Sequence, residues 1–233
     1  MMQITPEIQI AGAALYLQQP EILVLNDLHL GYEQVLHLKG ILVPRQQLKL
    51  VLNKLEKIIK KFKPKKVIIN GDLKHEFGKI LEREWKEILQ FLDFLLKHVE
   101  EVIIIQGNHD PVLGPIALKR GVKILPEYLV GNILISHGDE LVETSAKTII
   151  IGHEHPAITL KEHGKVEKFK CFLQGKWQGK TLIVVPSFNP LLEGTDVLEG
   201  NFLSPFLKDV DNFNVYIINE EEIFNFGKIK NLR

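Results

Sequence analysis

The sequence predicts an α/β fold in which two mixed sheets pack face to face with helices outside, a four-layer αββα sandwich. Three observations carry this. Apolar, largely β-branched runs at 22–26, 67–70 and 103–105 have no polar face and read as buried parallel strands. Two stretches between them, 44–62 and roughly 82–98, space their apolar residues as helices do, giving strand–helix crossovers with short connections. Beyond about residue 120 the helical pattern fades, and short strands separated by Gly164, Gly175 and Gly179 suggest antiparallel hairpins.

Taken in order, residues 8–17 read as one strand and 22–26 as the next, separated by Gln18-Gln19-Pro20. From Pro44, which suits a first helical turn, Leu48, Val51, Leu52, Leu55, Ile58, Ile59 and Phe62 fall on one helical face. Lys54, Lys57, Lys60, Lys61, Lys63, Lys65 and Lys66 gather toward its far end, where positive charge complements the helix dipole; this reads as a solvated helix end. The second helix buries Trp85, Ile88, Leu89, Leu92, Leu95 and Leu96. Short strands follow at 122–125, 133–136, 148–151, 158–160, 166–172 and 182–185, with a final hairpin at 214–218 and 222–226. No repeat, low-complexity run or linker interrupts the chain, so residues 1–233 are expected to form a single domain.

Lys+Arg and Asp+Glu each number 29, and the zero net charge argues against a strongly basic, sequence-independent nucleic-acid binder. Cys171 is the only cysteine, so no intrachain disulfide can form and a reducing, cytoplasmic setting is expected. Residues 8–17 lack the basic lead-in of a signal peptide, and no segment approaches the length of a membrane span, so no membrane partner is expected.

The chemistry is concentrated at strand ends. The run 103–105 leads through Gln106 into Gly107-Asn108-His109-Asp110, at the carboxyl end where open α/β sheets bind ligands, and Gly107 is expected to let the backbone turn tightly there. Four further apolar runs end alike: 22–26 delivers Asp27 and His29, 67–70 delivers Asp72 and His75, 133–136 delivers His137, and 148–151 delivers His153 and His155. Each block alone is an ordinary polar turn. Together they hold six of the nine histidines, and carboxyl ends of successive strands converge. Imidazole, carboxylate and amide oxygen without thiolate suit Mn, Fe, Co, Ni or Zn, and seven such donors are too many for one ion. Two ions sharing a carboxylate fit the set. Asp27 and His29, at i and i+2, point the same way if strand geometry persists through them.

The ordered set Asp27-x-His29, Gly71-Asp72-x-x-His75, Gly107-Asn108-His109-Asp110, His137-Gly138 and Gly152-His153-x-His155 resembles the signature of the calcineurin-like metallophosphoesterases, with no motif missing. The strings Asp27-Leu28-His29-Leu30-Gly31-Tyr32-Glu33 and His137-Gly138-Asp139-Glu140 look like its ICC-like branch, which includes the DNA-ligase-associated phosphoesterase. The resemblance implies that Asp27, His29 and His155 bind one metal, that Asn108, His137 and His153 bind a second, and that Asp72 bridges them. It implies that His109 is the general acid, oriented by Asp110, and that a bridging hydroxide attacks phosphorus in line. It also implies two divalent ions, manganese first, with Fe, Zn, Ni or Co as alternatives. His75 and Arg45 are the candidate substrate contacts; Lys74, Tyr32 and His37 read as surface neighbours of the motifs. The string Pro186-Ser187-Phe188-Asn189-Pro190 resembles a recurring feature of the same branch. The expected activity is phosphodiester hydrolysis on nucleotides or nucleic acid, with a homo-oligomer left open. The rival readings are a phosphomonoesterase or nucleotide pyrophosphohydrolase, and a non-catalytic scaffold of the same fold.

Overall fold

The computed structural model describes residues 2–77, 81–162, 164–220 and 222–233. Its first half builds β1 (Gln3–Thr5), β2 (Ile8–Ala11), β3 (Ala14–Leu17), β4 (Ile22–Asn26), α1 (Tyr32–Leu38), α2 (Gln47–Phe62), β5 (Lys66–Asn70), α3 (Glu82–Leu96), β6 (Glu101–Ile105), α4 (Gly114–Arg120) and β7 (Lys123–Leu125). The strands form one sheet in chain order, antiparallel from β1 to β4 and parallel from β4 to β7.

Strand periodicity divides β4 and β5 between two cores. Leu23, Leu25, Val67 and Ile69 face outward and meet Val51 and Leu55 of α2 and Ile88, Phe91 and Leu92 of α3. Val24 and Ile68 face inward, joining Ile103 and Ile105 of β6 against Ile135, Ile150 and Ile183 of the second sheet. The parallel strands are apolar on both faces because both faces are covered.

The second sheet contains β8 (Glu127–Val130), β9 (Ile133–Ser136), β10 (Thr148–Ile151), β11 (Pro156–Glu162), β12 (Lys165–Trp177), β13 (Lys180–Val184), β14 (Thr195–Asp196), β15 (Asn214–Asn219) and β16 (Glu222–Lys228). The order is β14-β11-β12-β13-β10-β9-β8, with β15 paired to β12 and β16 to β15. Its outer face, including Ile149, Ile151, Leu182 and Val184, is covered by Val197, Phe206, Leu207, Val210 and Phe213 from an irregular segment. The fourth layer is therefore coil, and the four α-helices of the described residues all lie before Gly121.

Several expectations are corrected. The run 8–17 is two strands, broken at Gly12, whose φ of 65° is the left-handed conformation that a hairpin turn uses. Helix α2 begins at Gln47 rather than near Pro44, because the buried Glu33 carboxylate accepts hydrogen bonds from the amides of Gln46 and Gln47, both at 2.6 Å. The later half is not purely antiparallel: β10 runs parallel to both β9 and β13. Helices α1 and α4, seven residues each, are too short to show a periodic stripe in sequence. No helix of the described residues is long and apolar enough to cross a membrane.

Candidate metal centre

The turns after β4, β5, β6, β9 and β10 converge above the seam between the sheets. They do so by leaving strand geometry. Asp27, His29, Asp72, His153 and His155 have φ values of 51°, 42°, 46°, 63° and 48°, so five of the seven expected donors are left-handed non-glycine residues. This corrects the expectation that strand geometry carries on through Asp27 and His29. Such conformations cost on the order of 1 kcal/mol each and persist only where the surroundings impose them. Here the first two turns are laced together: Asp27 N donates to Gly71 O (3.3 Å), His29 N to Asp72 O (2.8 Å) and Leu30 N to Leu73 O (2.9 Å).

Glycines admit the side chains. A Cβ on Gly71 would overlap the His137 ring, one on Gly107 the Asp72 carboxylate, and one on Gly152 the Asp27 carboxylate. Gly107 has no left-handed φ; its requirement is close approach rather than the tight turn expected of it.

Two donor groups result. In the first, His155 Nε2 lies 3.4 Å from Asp27 Oδ1 and 3.3 Å from His29 Nε2. In the second, His137 Nε2 lies 2.9 Å from Asn108 Oδ1 and 3.2 Å from His153 Nδ1. Asp72 stands between them, Oδ2 at 3.5 Å from His29 Nε2 and Oδ1 at 3.5 Å from His137 Nε2. The triads Asp27–His29–His155 and Asp72–His137–His153 are each compact enough for their donor atoms to share an ion, and so is His29–His75–His109.

The donor chemistry fits a cation. One ring N–H can serve only one acceptor, yet His137 Nε2 is approached by an amide oxygen, a carboxylate oxygen and a second imidazole nitrogen, while its buried Nδ1 has no hydrogen-bond partner among the described residues. Burial, then the neighbouring imidazoles led by that of His155, holds His29 well below its ordinary range, so its ring is neutral. Burial, then the carboxylates of Asp27 and Asp110, pushes the Asp72 carboxyl well upward. Neutral imidazoles and crowded carboxylates are what a divalent ion relieves.

The remaining expected residues divide. His109 donates its backbone N–H to Asp72 Oδ1 at 3.0 Å, and its ring Nδ1 faces the carbonyl of His75 at 2.7 Å. Asp110 does not orient that ring. Its buried carboxylate accepts the amides of Gly107, Leu73 and Lys74, each at 3.2 Å, tying the turn after β6 to that after β5. His75 lies beside the centre, Nδ1 at 3.4 Å from His29 Nδ1; burial, then His109, lowers it to about 4. Arg45 is exposed on the α1–α2 connection, where its Nε donates to His37 Nδ1 at 3.2 Å, and among the described residues no hydrogen bond joins it to the centre. Lys74, expected at the surface, is buried and donates from Nζ to Glu76 O.

Supporting residues went unseen in the sequence. Gln47 Nε2 donates to His29 O at 2.8 Å, and Glu154 accepts the amides of Leu203 and Ser204 at 2.8 and 3.0 Å. The string 186–190 now has a physical role. Ser187 Oγ donates to Asp27 O at 2.6 Å and Phe188 N to Asn26 O at 2.8 Å, and Lys170 Nζ in turn donates to the carbonyls of Ser187 and Asn189. A loop of the second half thus clamps the backbone that presents Asp27. The Ser and Asn of that string were its only signal, as side chains able to bond backbone.

Fold and donor set together define a metal-dependent hydrolase built on an α/β sandwich. The family of calcineurin-like phosphoesterases matches residues 20–218, most of the chain, and the protein belongs to that family. Hydrolysis of phosphate esters with divalent metal follows from membership. The fold is shared with nuclease MPE of Pseudomonas putida, at a TM-score of 0.66 and 17% identity over 93% of each chain. A looser likeness, TM-score 0.46 and 14% identity over 89% of this chain and 98% of the other, is to YfcE, a phosphoesterase from E. coli. No curated protein matches the chain.

Proposed function

We propose that the protein is a phosphodiesterase working with two divalent metal ions, manganese first among them, on nucleotide or nucleic-acid esters. The observation that carries this is the position of Asp72, whose two carboxylate oxygens each face a different histidine group at 3.5 Å. Asp27, His29 and His155 would hold one ion, Asn108, His137 and His153 the other, and Asp72 both. When bound, the ions would supply positive charge for the phosphoryl oxygens and make an attacking water more acidic.

His109 is the proton donor to the leaving oxygen in this reading. With Nδ1–H on the His75 carbonyl, the ring presents Nε2 as its transferable position. The same carbonyl favours the protonated ring, against the larger effect of burial, which lowers it. Asp110 contributes by fixing the turn that carries Asn108 and His109. The preference for diesters follows the resemblance of the fuller motif strings to the ICC-like branch and is the finer part of the proposal. One domain over 1–233 is supported by the pairing of β15 to β12 and by the place of β1 to β3 in the first sheet.

The test is hydrolysis of bis(p-nitrophenyl) phosphate against p-nitrophenyl phosphate with added Mn²⁺. Higher kcat/KM for the diester is expected; a clear preference for the monoester would overturn the choice of substrate.

A further inference from the structure

The Asp110 carboxylate is occupied by three amides, so the His109 ring takes its orientation from elsewhere. Its bed is the segment 75–77. The His75 carbonyl accepts Nδ1–H at 2.7 Å, the His75 ring stacks on it at 5.8 Å and 20°, and the Phe77 ring meets it edge-on at 5.1 Å. That segment lies in no helix or strand, so no ladder of its own holds it in place.

Glu84, buried in the first turn of α3, does hold it. Its Oε1 accepts the amides of His75 at 2.9 Å and Glu76 at 3.0 Å, while Oε2 accepts that of Leu81 at 3.2 Å. The Leu81 bond caps the helix, and a cap needs only one oxygen. The other reaches back across the loop. Gly31 leaves it room, since a Cβ there would stand 3.0 Å from Glu84 Oε1. Two of these contacts share one peptide group: its N–H, from Glu76, donates to the Glu84 carboxylate, and its C=O, from His75, accepts the His109 ring. A carboxylate on the N–H of a peptide group makes its carbonyl a stronger acceptor. A ring nitrogen bonded there is fixed in tautomer and in direction.

We propose that Glu84 is a positioning residue for His109, acting through the peptide group between His75 and Glu76. The carboxylate does not touch substrate; it keeps Nδ1 bound and Nε2 available for proton transfer, the part the sequence suggested for Asp110. The inference rests on the reading of His109 as proton donor.

The test is kcat with Mn²⁺ on aryl phosphodiesters whose leaving phenols differ in acidity, from bis(p-nitrophenyl) phosphate to diphenyl phosphate. Glu84→Gln should cost about 10-fold on the phenol ester and about 2-fold on the nitrophenol ester, with KM and metal content kept. In a His109→Ala background the same substitution should add less than about 2-fold on either ester. Equal losses on both esters, or a loss that adds fully to that of His109→Ala, would make Glu84 a helix cap and overturn the proposal. If the parent prefers monoesters, phenyl and p-nitrophenyl phosphate replace the diesters, so the substrate choice can fail without the positioning role. A second arm needs no turnover: in Zn²⁺-loaded, ¹⁵N-labelled protein, the His109 Nδ1–H should exchange with solvent at least ~10-fold faster in Glu84→Gln. An unchanged exchange rate would overturn the hold on the ring, whereas faster exchange with no leaving-group effect of His109→Ala would sink only the acid reading. Should Glu84→Gln not fold, Glu84→Asp, one carbon short of the amides, takes its place with the same expectations.

Discussion

The inter-sheet core and the candidate metal centre lie a few residues apart on the same strands and obey opposite rules. Ile68 sits in β5, in regular strand geometry, with apolar neighbours from both sheets. Four residues on, Asp72 is left-handed, buried, and crowded by the carboxylates of Asp27, Asp110 and Asp139. The core is locally consistent and self-supporting. The centre is locally unfavourable and is imposed by the hydrogen bonds around it, as expected where stability is given up for function.

Substitution should separate the two regions. Asp72→Asn should lower kcat/KM by more than about 100-fold and reduce bound metal from two ions, measured by elemental analysis. Because it removes one carboxylate from a crowded group, the metal-free variant should melt higher than the metal-free parent. His109→Ala should reduce kcat by about 10²–10⁴-fold for a poor leaving group and less for p-nitrophenolate, with metal content unchanged. Parallel loss of metal would make His109 a ligand instead. Ile68→Ala should do the reverse, costing about 2–5 kcal/mol in urea unfolding while the folded fraction keeps its metal and turnover. Ser187→Ala tests the clamp between the regions: a cost of about 1–2 kcal/mol, and metal affinity about 10-fold weaker by calorimetry. Unaltered metal affinity would reduce the 186–190 loop to packing.

A further effect is a pH slope. Burial, then Lys54, lowers Lys170 to about 7 from an ordinary 10.5. Between those values the unfolded chain holds the proton and the folded chain does not, so stability should rise with pH from about 7 toward 10.5, by at most about 1.4 kcal/mol per pH unit. Below about 7 both states carry the charge and the slope from this group vanishes. Urea unfolding at several pH values, against Lys170→Met, measures it; the variant should lack the rise.

The same contrast explains what could be read from the chain. The convergence of polar residues from the ends of apolar runs was legible, because a strand's carboxyl end leaves a residue-level mark; Asp27, Asp72 and His137 meet as that pattern implies. The left-handed turns were not, since Asp and His at such positions look like any polar turn until the packing that forces them is known. Asp110 misled for a related reason: adjacency to His109 suggested a ring partner, while backbone amides more than 30 residues away along the chain compete for the carboxylate and win. Helix α2 was visible in its stripe, but its start was set by Glu33, a tertiary cap without periodicity.

One consequence concerns the seam itself. Asp27 and His29 come from the first sheet and His155 from the second, and Asp72 is likewise matched with His137 and His153 across the divide. Cations held there would rivet the N-terminal and C-terminal halves of the polypeptide together. Their free concentration would then govern how readily the halves part, with the melting temperature climbing logarithmically as the ion is titrated in.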